Sequence, residues 1–223
     1  MVDRYWLRLM HLVSPSLPTG AFAYSQGLEW AVAQGWIQDG RGLESWLDDL
    51  IRHCLAHVDI PLLARMVSAC KDRRDQDLVK WCDYLLALRE SHELQMEEKH
   101  RGRAMVALLE GLQLPLRETT KSILSRCQLA GFALAAAHWD IPLPQAALGY
   151  VWSWLENQVL AGIKIIPLGQ TEGHRMLHDL DKVVMDAVAT GLHRPDHAIG
   201  ASSPALAIAS SLHETQYTRL YRS

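Results

Sequence analysis

The chain has 223 residues, 49% apolar and 21% charged, with a formal net charge of −3. That length supports one sizeable core, and the composition excludes a disordered tail. No block of like charge supplies the basic stripe of a nucleic-acid binder, and polar residues or Pro interrupt every apolar run before membrane-spanning length.

The opening Met-Val-Asp-Arg-Tyr-Trp lacks the apolar core of a signal peptide. Cys54, Cys70, Cys82 and Cys127 show no C-x-x-C spacing, which points to free thiols in a reducing, cytoplasmic setting. A short apolar segment, Trp6 to Val13, then runs into Ser14-Pro-Ser-Leu-Pro-Thr-Gly-Ala-Phe-Ala-Tyr-Ser-Gln-Gly-Leu-Glu29. Pro15 and Pro18 each fix φ and remove a donor, so this string predicts a rigid corner between helices, with Phe22 and Tyr24 as an exposed pair.

Leu43, Trp46, Leu47, Leu50, Ile51, Cys54 and Leu55 repeat at helical spacing. Asp59-Ile-Pro61 offers an N-cap and a first-turn proline for the next helix. The runs Leu78 to Leu88 and Met105 to Leu112 are separated by charges without Gly or Pro before Gly102, which predicts one long bent helix. Ser122 to Ala137 is rich in small residues that allow close helix approach. Gln145 to Ile166 is apolar on most faces, the mark of a central helix or one shared with a partner. Helical spacing resumes from Met176 to Ala187. With no sustained strict alternation, the fold class is all-α: a single domain over 1–223, a bundle of about eight to ten helices. Residues 191–204 read as a linker, and 205–223 as a detachable tail.

Catalytic chemistry finds little support. Ala23-Tyr-Ser-Gln-Gly27 approaches a nucleophile elbow, but the first glycine is missing and no strand precedes it. The pairs His53/His57, His174/His178 and His193/His197 have one-face helical spacing, yet two ligands alone make a weak metal site. Glu90, Glu93, Glu97 and Glu98 lie beside Lys99, Arg101 and Arg103, as on a solvated helix face. Gly169-Gln-Thr-Glu-Gly173 lacks the lysine and the preceding strand of a phosphate loop. No catalytic residue and no metal ligand set is therefore expected. Eight tryptophans against two phenylalanines are mostly explained by packing, but Trp and Tyr also favour protein interfaces.

Three strings in order resemble the urease accessory protein F (UreF) family. They are Ser14-Pro15 … Pro18-x-Gly20 … Tyr24-Ser25-x-Gly27-Leu28-Glu29, then Ala161-Gly-Ile-Lys-Ile-Ile-Pro-Leu-Gly-Gln170, then Pro204-x-Leu-Ala-Ile-Ala-Ser … His213-Glu214 … Tyr217-x-Arg219-Leu220-Tyr221-Arg222-Ser223. Ala21 stands where a second glycine is common. The resemblance implies an all-α, non-catalytic accessory protein that joins a UreD/UreH-type scaffold to a UreG-type GTPase during nickel insertion into urease, as a homodimer without resident cofactor. It implies that the tail, with His213, Glu214, Tyr217, Arg219, Leu220, Tyr221 and Arg222, binds the scaffold. Phe22, Tyr24 and Gln170 join the partner-binding set. Glu29 and Lys164 are candidates for the GTPase-facing patch or its support. Their plainer readings are a first-turn carboxylate and a lysine at a helix C-terminus. The alternative function is a nickel-binding protein using the histidine pairs.

Overall fold

Helices form where the apolar spacing places them, and each is cut by a local signal. The structure, a computed structural model, describes residues 3–223, so the first two residues of the opening string lie outside it. Twelve α-helices, one π-helical segment and two 3-10 turns occur among the described residues, and no strand. The all-α reading holds, with more breaks than the expected eight to ten helices.

The first helix, α1 (Tyr5–Leu12), ends at the proline corner, which contains the 3-10 turn Ala21–Ala23 and leads into α2 (Leu28–Ala33). Asp39 caps α3 (Gly40–Leu50) by accepting from the Gly42 N–H at 2.9 Å. No cap occurs at Asp59. The chain continues helically through a π segment (Ile51–Asp59) into α4 (Ile60–Lys71). The Pro61 ring would press on the carbonyl four residues earlier and cannot hydrogen-bond to it, and the wider turn makes room for the ring. That carbonyl, of His57, instead accepts from the Gly200 N–H at 3.0 Å.

The expected long helix is two, α5 (Asp75–Leu88) and α6 (His92–Gly111). Arg89 turns extended between them, and Ser91 caps α6 through the Leu94 N–H at 3.2 Å. A serine N-cap starts a new helix without any Pro or Gly. The small-residue stretch is divided into α7 (Glu118–Leu124) and α8 (Gln128–His138), and α8 packs between α4 and α6. A Cβ on Gly102 of α6 would lie 2.5 Å from the Leu124 carbonyl oxygen, so the backbones meet directly there. Next comes α9 (Leu143–Ile165), the expected central helix, touching α1 to α4. It also packs against α10 (Gln170–Asp179) and α11 (Asp181–Leu192).

Residues 191–204 are not a loose linker. The 3-10 turn Asp196–Ala198 and a buried Ile199 lie against the core, and Tyr84 donates to the Ile199 carbonyl at 2.9 Å. Nor is 205–223 detached in this structure. The last helix, α12 (Pro204–His213), lies on α2 and α6, and the final ten residues fold back as a strap. Its His, Ser and Glu side chains find buried polar partners, which hydrophobic periodicity does not register.

Candidate partner-binding site

The corner and the strap form one unit. Tyr24 is extended, the Arg222 N–H donates to the Ala23 carbonyl at 2.8 Å, and the Ser25 N–H donates to the Ser223 carbonyl at 2.7 Å. The Ser25 hydroxyl donates to the same carbonyl at 2.5 Å and accepts from the Glu29 N–H at 3.3 Å. Fully buried in this way, Ser25 is a structural tie and offers no nucleophile. Gln26 and Gly27 both take left-handed backbone, with φ of 53° and 79°. A Cβ on Gly27 would sit 2.8 Å from the Ser210 nitrogen, so only glycine lets α12 lie against the corner.

This turn places Glu29 in the first turn of α2, where it becomes the centre of a clasp. Its carboxylate accepts from the Leu220 N–H at 2.6 Å and the Tyr221 N–H at 2.9 Å, and meets His213 Nε2 at 3.1 Å. The opposite ring nitrogen, Nδ1, is 2.7 Å from Glu93 of α6, which also accepts from Arg219 at 2.7 Å. Glu214 accepts from the His92 and Glu93 N–H groups at 2.9 and 3.3 Å, capping α6 from the strap side. Burial alone would lower the His213 pKa, but its hydrogen bonds to Glu93 and Glu29 outweigh this and raise it.

Behind the corner, Gln26 donates to both carboxylate oxygens of Glu97 at 3.1 Å and accepts from the Trp154 indole at 2.8 Å. Arg101 pairs with Glu97 at 2.7 Å. Deeper, Arg89 holds Asp59 at 2.6 Å and Glu98 at 2.8 Å, and Tyr150 donates to Asp59 at 3.0 Å. Burial, then the Asp59 and Glu98 charges, push the Tyr150 hydroxyl well above its ordinary pKa. Glu93, Glu97 and Glu98 are therefore buried partners of cations, not the solvated face that their neighbours in sequence suggested. A cavity of about 190 Å³ lies beneath the corner, with Phe22, Gln26, Arg101, Gln158 and Lys164 among its walls.

The expected site residues divide accordingly. Tyr24 is buried, its hydroxyl 3.2 Å from His100 Nδ1, contrary to the exposed pair expected. Phe22 is 67% exposed beside it. His213 and Tyr221 are buried, while Glu29, Glu214 and Arg219 hold the strap. Tyr217, Leu220 and Arg222 point outward. Lys164 is exposed in the last turn of α9, and Gln170 begins α10, outside both the clasp and the cavity. Sequence reading missed Gln26, Arg89, Glu93 and Asp59. The one local hint was Gly27, whose neighbour shares its unusual backbone.

The histidine pairs do not converge with further ligands. The Arg194 guanidinium lies 3.0 Å from His57 Nδ1, and burial together with that cation lowers the His57 pKa. His174 and His178 are exposed on α10. His193 and His197 do not share a helix, because α11 ends at Leu192. Among the described residues no three His, Cys, Asp or Glu side chains are grouped to hold a metal ion.

The family model for UreF matches residues 37–181. The chain is 46% identical over 221 residues to the urease accessory protein UreF of Pseudomonas putida (strain W619), covering 99% of each chain. Its counterpart of the same name in Alcanivorax borkumensis is 46% identical over 230 residues, covering 100% of both. That of Marinomonas sp. (strain MWYL1) is 41% identical over 217 residues, covering 97% of this chain and 94% of the relative.

Proposed function

This chain belongs to the UreF family of urease accessory proteins, and we propose that it is a non-catalytic adaptor between a UreD/UreH-type scaffold and a UreG-type GTPase. One observation carries the reading. The N-terminal and C-terminal strings, almost two hundred residues apart, fold into one clasped unit that turns Phe22, Tyr217 and Leu220 outward. Large apolar side chains held on a rigid base are the anchors that interfaces use. His213 and Tyr221, which are buried, together with Glu29 and Glu93 hold this surface in shape.

The strap with the outer side of α12 is the scaffold-facing surface. Lys164, exposed at the mouth of the cavity, is assigned to the GTPase-facing patch, while Glu29 acts from behind by fixing the strap. The adaptor works by differential binding: holding the GTPase in one orientation couples its nucleotide state to release of nickel, which is cargo of the complex and not a resident cofactor here. Urease apoprotein is reached through the assembled complex. A second surface, with Trp6 and Met10 of α1, Leu148 and Trp152 of α9 and Met185 of α11, is exposed and apolar. We assign it to the homodimer contact. A cytoplasmic setting follows from the partners proposed.

The test is co-elution with scaffold and GTPase. Tyr217→Ser together with Leu220→Ser removes two exposed anchors without touching the clasp. The adaptor reading expects loss of the ternary complex with unchanged helicity and Tm. Full retention of the complex by this variant rules the strap out as the scaffold-facing surface.

A further inference from the structure

We propose that His213 is a pH-sensitive latch, which as the imidazolium bridges Glu29 and Glu93 and holds residues 214–223 against the fold, and which releases them when it loses its proton. The geometry leaves little alternative. Both ring nitrogens of a fully buried histidine face carboxylates, at 3.1 and 2.7 Å. An ionised carboxylate only accepts hydrogen bonds, and a neutral imidazole has a single N–H to give. Both contacts are satisfied at once only by the doubly protonated ring.

The charges around the latch balance in that state. Glu29 comes from α2 and Glu93 from α6, while the strap contributes Arg219, paired with Glu93, and Glu214, bonded to the N-terminal amides of α6. Ser91 and Ser210, 2.5 Å apart, are the neutral polar pair between α6 and α12. Two cations, His213 and Arg219, face the two clasp carboxylates. Loss of the His213 proton leaves two buried negative charges against one cation and turns a ring lone pair toward a carboxylate. Glu29 is also the acceptor for the Leu220 and Tyr221 amides. Weakening its position therefore loosens the strap where it crosses α2.

The sign follows from linkage. His213 is raised when latched, and an unlatched, solvated histidine titrates near 6.5. The latch is at full strength below about 6.5 and weakens by roughly tenfold per pH unit above it, until the raised latched value is passed. The device does not depend on which protein docks on the strap.

Hydrogen exchange on the full chain between pH 6 and 9, corrected for intrinsic rates, reads it at the Leu220 and Tyr221 amides. Their protection is expected to be flat below pH 6.5 and then to fall about tenfold per unit. In parallel, the His213 ring nitrogens are expected to titrate above 6.5 by NMR. His213→Gln should show weaker protection with no pH dependence in this window. Should that variant fail to fold, Arg219→Gln provides the second arm, since removing one cation must move the His213 midpoint upward. Protection that stays constant from pH 6 to 9 in the wild-type chain, or an imidazole titrating at or below 6.5, overturns the latch. So does an Arg219→Gln midpoint that is unmoved.

Discussion

Replacing Arg89 by Met tests whether the buried charge network holds the bundle together. Arg89 is mostly buried and bonds Asp59 at 2.6 Å and Glu98 at 2.8 Å, and both carboxylates are themselves buried. Asp59 also accepts from Tyr150 of α9, and Glu98 accepts from the Gln128 N–H at the start of α8. The cation thus joins the π segment, α6, α8 and α9 at one point. A methionine of similar length fills the space but leaves two negative charges without a counter-ion, a loss of about 3–5 kcal/mol. Urea unfolding followed by far-UV circular dichroism should show the midpoint falling by about 1–2.5 M, given slopes near 2–3 kcal/mol/M. Arg89→Lys keeps the charge but not the fork that reaches both partners, so it should fall between the two. A loss below about 1 kcal/mol for Arg89→Met would refute the reasoning, because the carboxylates would then have found other compensation.

Gly27→Ala should cost about 1–2 kcal/mol for left-handed backbone, with more for the collision at Ser210, and the strap should become sensitive to limited proteolysis. Gly102→Ala should destabilise by at least about 1–3 kcal/mol, read as a fall in Tm, because its Cβ would meet Leu124 and Cys127 backbone that cannot move aside. Burial pushes the Cys54 and Cys70 thiols up to about 12, so iodoacetamide at pH 8 should alkylate the native chain slowly, and all four cysteines once urea unfolds it. Met185→Glu with Leu148→Glu should leave stability within about 0.5 kcal/mol per site yet convert the proposed homodimer to monomer by light scattering. A dimer that persists would place the homodimer contact elsewhere.

What was legible in the sequence follows from which forces leave a periodic trace. Burying an apolar helix face requires apolar residues every three or four positions, so α3 and α9 could be read directly, whereas the run Met176 to Ala187 falls across the break at Leu180 between α10 and α11. Helix ends made by Pro were also legible, as at the corner of Pro15 and Pro18 that follows α1. The break at Arg89 was not, because a serine cap and an arginine drawn toward Asp59 look like ordinary surface residues. At Asp59 the local signal pointed the wrong way. The residues of a good N-cap were present, but Pro61 was accommodated by a wider helical turn, and the aspartate was needed thirty residues onward in sequence, at Arg89.

The clasp was hidden for the same reason in a stronger form. Glu29, Glu93 and His213 lie in three segments whose spacing along the chain carries no information about their meeting, and each alone reads as a solvated group. A carboxylate on a polar helix face is placed in water by default, and only tertiary contact reveals that its partner is a buried cation. What the sequence did contain was the conformational requirement that brings them together. Gly27 can adopt the left-handed turn and lacks the Cβ that would keep α12 away, so the path of the backbone there is set by one residue. Glu29, two positions later, is then carried to the strap and His213. The exposed aromatics of the site depend on this chain of causes. Phe22 and Tyr217 stand exposed on a fixed base because buried polar groups spend their hydrogen bonds on holding the corner and the strap in register.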